Sequence, residues 1–254
     1  MLKKQFKVDK LDVKVYDSRR SMGEEAGAEA AEYLRALLAK QDEVYAIFAA
    51  APSQNEFLAT LAAAPGIDWG RVHALHMDEY VGLPADAPQG FGNFLRRAIF
   101  DKVPFGSVDY IGSEGNPDDL IARYDAILAA HKVDVVFMGI GENGHIAFND
   151  PHVADFADPA RIKKVDLDLK CRTQQVHDGC FAKLEDVPEY ALTLTVPTLF
   201  AGGRLFCVVP AATKADAVKA TVEGPVGAQC PATVMRLHDA ATLYVDSDSG
   251  KYIL

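Results

Sequence analysis

The sequence predicts an α/β fold in which a mostly parallel sheet is covered by helices on both faces. Two patterns and one composition carry that prediction. Strand-like and helix-like segments alternate along most of the chain, the signature of parallel strands joined by crossover helices. Several strand-length segments are continuous apolar runs, as in VYAIFAAA (44–51) and VDVVFMGIG (133–141), and strands of that kind are buried on both faces. The chain has 254 residues, 49% hydrophobic and 24% charged, a globular composition long enough to bury a core without disulfide or metal staples.

The elements follow in order. LDVKVYD (11–17) alternates apolar and polar residues as a half-buried strand does, and residues 18–40 are Ala-, Glu- and Leu-rich with helical spacing. After the strand at 44–51, Ser53-Gln54-Asn55-Glu56 has the form of a capping box and predicts a second helix. RVHALHMD (71–78) reads as a strand and NFLRRAIFDKV (93–103) as a helix. Asn116-Pro117-Asp118-Asp119 combines an N-cap, a proline at the first helical position and acids in the first turn, so a helix runs from there to about His131. The strand at 133–141 follows. The stretch 150–190 is polar, charged and without periodicity, which marks a lid or binding loop. ALTLTV (191–196) and RLFCVV (204–209) read as strands, Thr213 to Glu223 as a helix closed by Gly224, and ATLYVD (241–246) as the last strand. With no repeat, low-complexity tract or linker, residues 1–254 are read as a single domain, and the site is expected at the carboxyl ends of the strands.

The balance of 26 basic against 36 acidic residues gives a net charge of -10, which argues against a nucleic-acid or anionic-membrane partner. The opening MLKKQFKVDK has no apolar core of a signal peptide, and no run approaches a membrane span. Cys171, Cys180, Cys207 and Cys230 form no CxxC pair, the usage of a reduced, cytoplasmic protein.

Several motifs could carry chemistry. Gly139-Ile140-Gly141-Glu142-Asn143-Gly144 fits GxGxxG after a strand, but Asn149-Asp150-Pro151 follows too soon for the helix a dinucleotide fold requires. The glycines are read instead as permitting a tight turn or a close ligand. Asp78-Glu79-Tyr80 and Asn143-Gly144-His145 each follow a strand. Strand alternation separates His73 from His76, so no metal site is expected there. Lys214 lies in the first turn of its helix, where a cation is unfavourable unless an anion also binds. Arg172 offers a second basic group with a phosphate-matching fork.

His76-Met77-Asp78-Glu79-Tyr80-Val81-Gly82-Leu83-Pro84 and Gly141-Glu142-Asn143-Gly144-His145-Ile146-Ala147-Phe148-Asn149-Asp150-Pro151 together resemble the glucosamine-6-phosphate deaminases. That wider family also holds 6-phosphogluconolactonases and galactosamine-6-phosphate isomerases. The resemblance implies a three-layer α/β/α domain with a Rossmann-like sheet, no required cofactor, and deamination with isomerisation of an aminosugar 6-phosphate. It implies that Asp78 is the base moving a proton between C2 and C1, and that His145 is the acid/base opening the sugar ring. Asp150 corresponds to a family glutamate that orients the histidine, and Asn143 to an aspartate beside it. Arg172 and Lys214 correspond to phosphate-binding residues, and 150–190 to a mobile lid. Ser53, Glu79 and Gly144 complete the expected substrate-binding set. Ala50-Ala51-Pro52-Ser53-Gln54 departs from the family's Gly-rich phosphate loop, and Pro52 removes a backbone donor. The alternatives are lactone hydrolysis, galactosamine-type isomerisation, or a sugar-phosphate sensor without turnover. The expected partner is a small-molecule sugar phosphate, with a homo-oligomer left open.

Overall fold

The computed structural model describes residues 1–254. The strands are β1 (Leu2–Val8), β2 (Leu11–Tyr16), β3 (Val44–Phe48), β4 (Val72–His76), β5 (Asp78–Tyr80), β6 (Ser107–Asp109), β7 (Val135–Met138), β8 (Ile162–Asp166), β9 (Tyr190–Leu194), β10 (Leu205–Val209) and β11 (Ala241–Val245). The helices are α1 (Arg19–Leu38), α2 (Asn55–Ala63), α3 (Phe91–Leu95), α4 (Pro117–Ala130), α5 (Leu169–His177), α6 (Val196–Phe200) and α7 (Ala215–Glu223).

Eight strands make the main sheet in the order β1-β2-β11-β10-β7-β3-β4-β6. Every neighbouring pair is parallel except β1 with β2. Alternation along the strands sends successive side chains to opposite faces, and two separate cores result. Ile47, Val136, Cys207 and Leu243 face one core with Tyr124 and Leu128 of α4, Leu199 of α6 and Val218 of α7. Phe48, Phe137, Phe206 and Tyr244 face the other with Met22 and Leu34 of α1 and Phe57 of α2. The cores hold 35 and 34 buried residues, so the sheet is covered equally on both sides. This is the three-layer α/β/α architecture.

Six details differ from the sequence reading, the first being the short edge strand β6, which was not assigned. Leu2–Val8 was not assigned, yet it pairs antiparallel with β2. It is an edge strand exposed over most of its length, so it carries no buried alternation. The segment 150–190 is not irregular, since it contains β8 and α5. The strand at 191–196 leaves the main sheet and joins β5 and β8 in a small antiparallel sheet ordered β5-β9-β8. The helix at 93–103 is α3 followed by a single π-helical turn, Arg96–Phe100. The capping box at Ser53 does not form. A 3₁₀ turn, Pro52–Gln54, precedes α2, with Ala51 before it and proline at its first position. Glu56 turns instead to Arg19, 2.8 Å away, which leaves the Ser53 hydroxyl free of capping.

Candidate active site

The strand order reverses between β3 and β7. From β3 the chain moves outward through β4 to β6, then returns to β3's other side with β7, β10 and β11. Loops leaving the carboxyl ends of β3 and β7 therefore diverge and open a crevice. A small cavity of about 60 Å³, open to solvent, lies there. Its walls come from the loop after β3 (Ala49, Ser53, Gln54), from Asp78, from Gly139, Gly141 and His145 after β7, from Gln174, Gln175 and Asp178 of α5 and its C-terminus, and from Lys214 after β10.

Asp78 is placed by the passage from β4 into β5. His76 is fully buried, its Nδ1–H donating to the Asp78 carbonyl (2.9 Å) while Nε2 accepts the Ile111 amide (2.9 Å). The Tyr124 hydroxyl receives the His76 amide and donates to the His76 carbonyl, both at 2.9 Å. Burial pushes His76 down to about 4, so it is a neutral brace and not a ligand. β5 then pairs with β9, Asp78 opposite Thr193. Burial, reinforced by the neighbouring Glu79 charge, raises the Asp78 carboxyl well above the ordinary range. A carboxylate of that kind holds a proton more tightly and is a stronger base.

His145 sits in a network whose hydrogen atoms the geometry assigns. The His145 amide donates to Asn143 Oδ1 (3.1 Å), which fixes the orientation of the Asn143 side chain because an amide N–H only donates. His145 Nδ1 lies 2.7 Å from the same oxygen and 3.0 Å from Asp150 Oδ1, so Nδ1 carries the proton. That leaves Nε2 for the cavity. Burial raises the fully buried Asp150 carboxyl, but the hydrogen bonds and charge of His145 and the Asn143 amide outweigh it and hold it below its ordinary value. The ring lies flat over Gly141, where any Cβ would overlap it. Gly144 has φ +85° and packs against Cys230, so it shapes the turn and does not line the cavity.

Lys214 forms the opposite wall. It is 4% exposed and its Nζ has no hydrogen-bond partner. Burial pushes it below the usual ammonium range, partly offset by Asp178 and Glu142. The residue that begins its turn, Ala211, has φ +82°, a strained value for alanine that the Asp246 carboxylate helps hold by accepting the Ala211 amide (3.2 Å). A buried cation without a counter-ion is costly, and this one borders a solvent-open cavity.

Ser53 lines the same cavity, its hydroxyl accepting from Gln54 Nε2 (3.1 Å). Besides Gly144, two more residues of the expected substrate-binding set lie away from the cavity. Glu79 accepts the amides of Tyr80, Phe91 and Gly92 at 2.9–3.0 Å, so it anchors the start of α3. Arg172 donates to the carbonyls of Leu184 (3.2 Å) and Val187 (2.9 Å) and braces the loop after α5. Gln174, Gln175 and Asp178 were not expected. The sequence cue was the pair of glutamines following Asp168, a strong N-cap residue, within a segment read as loop. Two groups of ligand-type side chains, His145/Asp150/Cys171 and Asp150/His152/Asp168, lie within 4.8 Å. Both depend on Asp150, already held by His145 and Asn143, and burial keeps the Cys171 thiol well above its ordinary range.

A doubly wound α/β fold with a buried carboxyl group, a histidine and an unpartnered lysine gathered at its switch point belongs to the class of α/β proteins that bind an anionic ligand there. The comparisons narrow it. Residues 17–244 match the family described as glucosamine-6-phosphate isomerases/6-phosphogluconolactonase. A glucosamine-6-phosphate deaminase of Streptomyces avermitilis is 36% identical over 195 residues, 75% of this chain and 73% of its own. One from Pseudarthrobacter chlorophenolicus is 34% identical over 226 residues, 87% and 85% of the two chains. Among solved structures, a monomeric glucosamine-6-phosphate deaminase superposes with a TM-score of 0.84 at 21% identity, covering 94% of this chain and 98% of its own. The 6-phosphogluconolactonase of Thermotoga maritima gives 0.77 at 17% identity, covering 93% and 100%. The chain belongs to the glucosamine-6-phosphate isomerase/6-phosphogluconolactonase family.

Proposed function

We propose that the protein converts an aminosugar 6-phosphate, glucosamine 6-phosphate in the first instance, to the ketose 6-phosphate with release of ammonia. One observation carries the reading: Asp78, raised well above the ordinary carboxylate range, shares a cavity with His145 and with the unpartnered buried Lys214. Relatives at 34–36% identity bear the name glucosamine-6-phosphate deaminase, which supports the substrate.

In this reading Lys214 and the Ser53 hydroxyl take the phosphate, replacing backbone donors that Pro52 withholds. His145 Nε2 receives the anomeric hydroxyl proton and returns it to the ring oxygen, opening the ring. Asp78 abstracts the C2 proton and delivers it to C1 through an enolamine. Water adds to the resulting C2 imine, and ammonia leaves as the ketone forms. Asn143 and Asp150 hold the histidine in the Nδ1–H form that leaves Nε2 basic. No step calls for a metal or organic cofactor. Residues 150–190 act as the lid of a single domain, α5 presenting Gln174 and Gln175 to the bound sugar. Four free cysteines suit the reducing cytoplasm.

The test is a coupled ammonia assay on glucosamine 6-phosphate and galactosamine 6-phosphate, run beside hydrolysis of 6-phosphogluconolactone. Ammonia release from either aminosugar is expected. Lactone hydrolysis without ammonia from either would overturn the assignment.

A further inference from the structure

We infer that Asp168 is a positioning residue for His145, acting through Asn143 and tying the histidine to the N-terminus of α5. The inference rests on the acid–base role proposed for His145. Asn143 Nδ2 donates to two carboxylates at once, Asp150 Oδ1 at 2.9 Å and Asp168 Oδ2 at 3.0 Å. Its other end, Oδ1, receives both the amide and the Nδ1–H of His145. The second oxygen of Asp168 accepts the Cys171 amide at 2.6 Å, which makes Asp168 the N-cap of α5. One half-buried carboxylate therefore ends the hydrogen-bond chain from His145 and starts the helix that carries Gln174 and Gln175 into the cavity.

This arrangement accounts for the amide at position 143. With Asp150 and Asp168 both within hydrogen-bond distance of the same atom, a third carboxylate there would meet two like charges at close range. A neutral side chain that donates to both acids removes that repulsion. It also points its carbonyl at the histidine. Asp168 brings a negative charge to within one hydrogen bond of Asn143, from the N-terminus of α5. Asn143 polarised between two carboxylates is a better acceptor for Nδ1–H than a free amide.

The decisive variant is Asp168→Ser. Serine is a good N-cap but is too short to reach Asn143, so it keeps α5 and removes the link. Asp168→Asn fills the same space without the charge. Both variants are expected to lower kcat about 10–100-fold, the effect of losing a charge-assisted hydrogen bond, with KM changed less than about threefold and Tm close to wild type. In substrate-free protein the hydrogen-bonded Nδ1–H resonance of His145, observed by ¹⁵N-edited NMR, is expected to exchange faster with solvent in both. Retention of kcat and of the protected resonance in Asp168→Ser would overturn the inference, and so would a rise in KM that tracks a lowered Tm, since a cap alone gives that pattern. The resonance needs no substrate. If wild type shows no turnover, the functional assignment fails while the NMR comparison still decides the role of Asp168.

Discussion

At Lys214 an ammonium group 4% exposed lacks any protein partner, and the fold tolerates the cost where a ligand's anion would remove it. A lysine in the first turn of a helix predicts by itself a stability-neutral truncation, but burial changes the expectation. Lys214→Met is expected to stabilise the free protein by about 1–3 kcal/mol, because an apolar side chain of similar length replaces an uncompensated charge. The same change should weaken binding of a sugar phosphate about 10–100-fold. Calorimetry for affinity and thermal unfolding for stability check the two halves, and a variant less stable than wild type would mean that the cation is already paired. Asp78→Asn keeps the size and polarity of the side chain and removes its basicity. A fall in kcat of at least about 10²-fold is expected with ligand affinity nearly unchanged. Near-normal exchange of the C2 proton with solvent in that variant would move the base elsewhere, and not to Glu79, whose oxygens are held by three backbone amides. Gly141→Ala places a methyl group inside the His145 ring's position, so the ring must turn away and kcat should fall by a similar factor with the fold intact by circular dichroism.

At the scale of the element, α5 explains both what the segment 150–190 contains and why it is hard to read. A core helix shows apolar residues at helical spacing, but the buried residues of α5 are Cys171, Gln174 and Gln175. Only Cys171 and Val176 reach the core, while Gln174 and Gln175 line the polar cavity, so much of the inward periodicity is written in glutamines. Gln174 also accepts the Glu142 amide (2.8 Å) through Oε1, which joins the helix to the turn before His145. Arg172 secures the far side through the Leu184 and Val187 carbonyls. Arg172→Ala is therefore expected to speed hydrogen exchange across 184–189 and to weaken sugar-phosphate affinity by less than Lys214→Ala does. Equal losses in the two variants would show that Arg172 swings into the cavity when substrate is bound.

Across the whole molecule, function and stability meet at His76. Its folded pKa of about 4 lies below the ordinary 6.5, so the unfolded chain binds the extra proton between those values. Stability from this group is complete above about pH 6.5 and is lost as pH falls toward 4, amounting to about 3 kcal/mol at the low end. Asp78 and Glu79, raised by burial, contribute with the opposite sign, favouring the fold while protonated and losing that contribution as pH rises. His76→Gln retains a donor and an acceptor but does not titrate, so comparing chemical denaturation of the two proteins from pH 4 to 7 isolates the contribution of His76. Wild type is expected to lose stability more steeply on acidification than the variant, and parallel curves would exclude the linkage.

Most strands of the main sheet were legible, β2 from its alternation and β3, β7 and β10 because strands buried on two faces are apolar throughout, whereas β6, three half-buried residues at the sheet edge, was not. Asp78, His145 and Lys214 were legible because each follows a strand end within a long, specific motif or a helix start. What the sequence by itself determined was therefore local: the alternation of elements, the Asn116 cap, and the strand ends from which Asp78, His145 and Lys214 reach one cavity. The tertiary structure alone decided the rest. It moved β9 out of the main sheet to hold β5, gave Leu2–Val8 a partner, released Ser53 from its cap, and turned Glu79 and Arg172 away from the cavity. Each of these outcomes depends on competition for hydrogen bonds among groups distant in the chain. A carboxylate or guanidinium reads the same in sequence whether it meets a ligand or a backbone amide, and only the packed chain settles which partner lies within 3 Å.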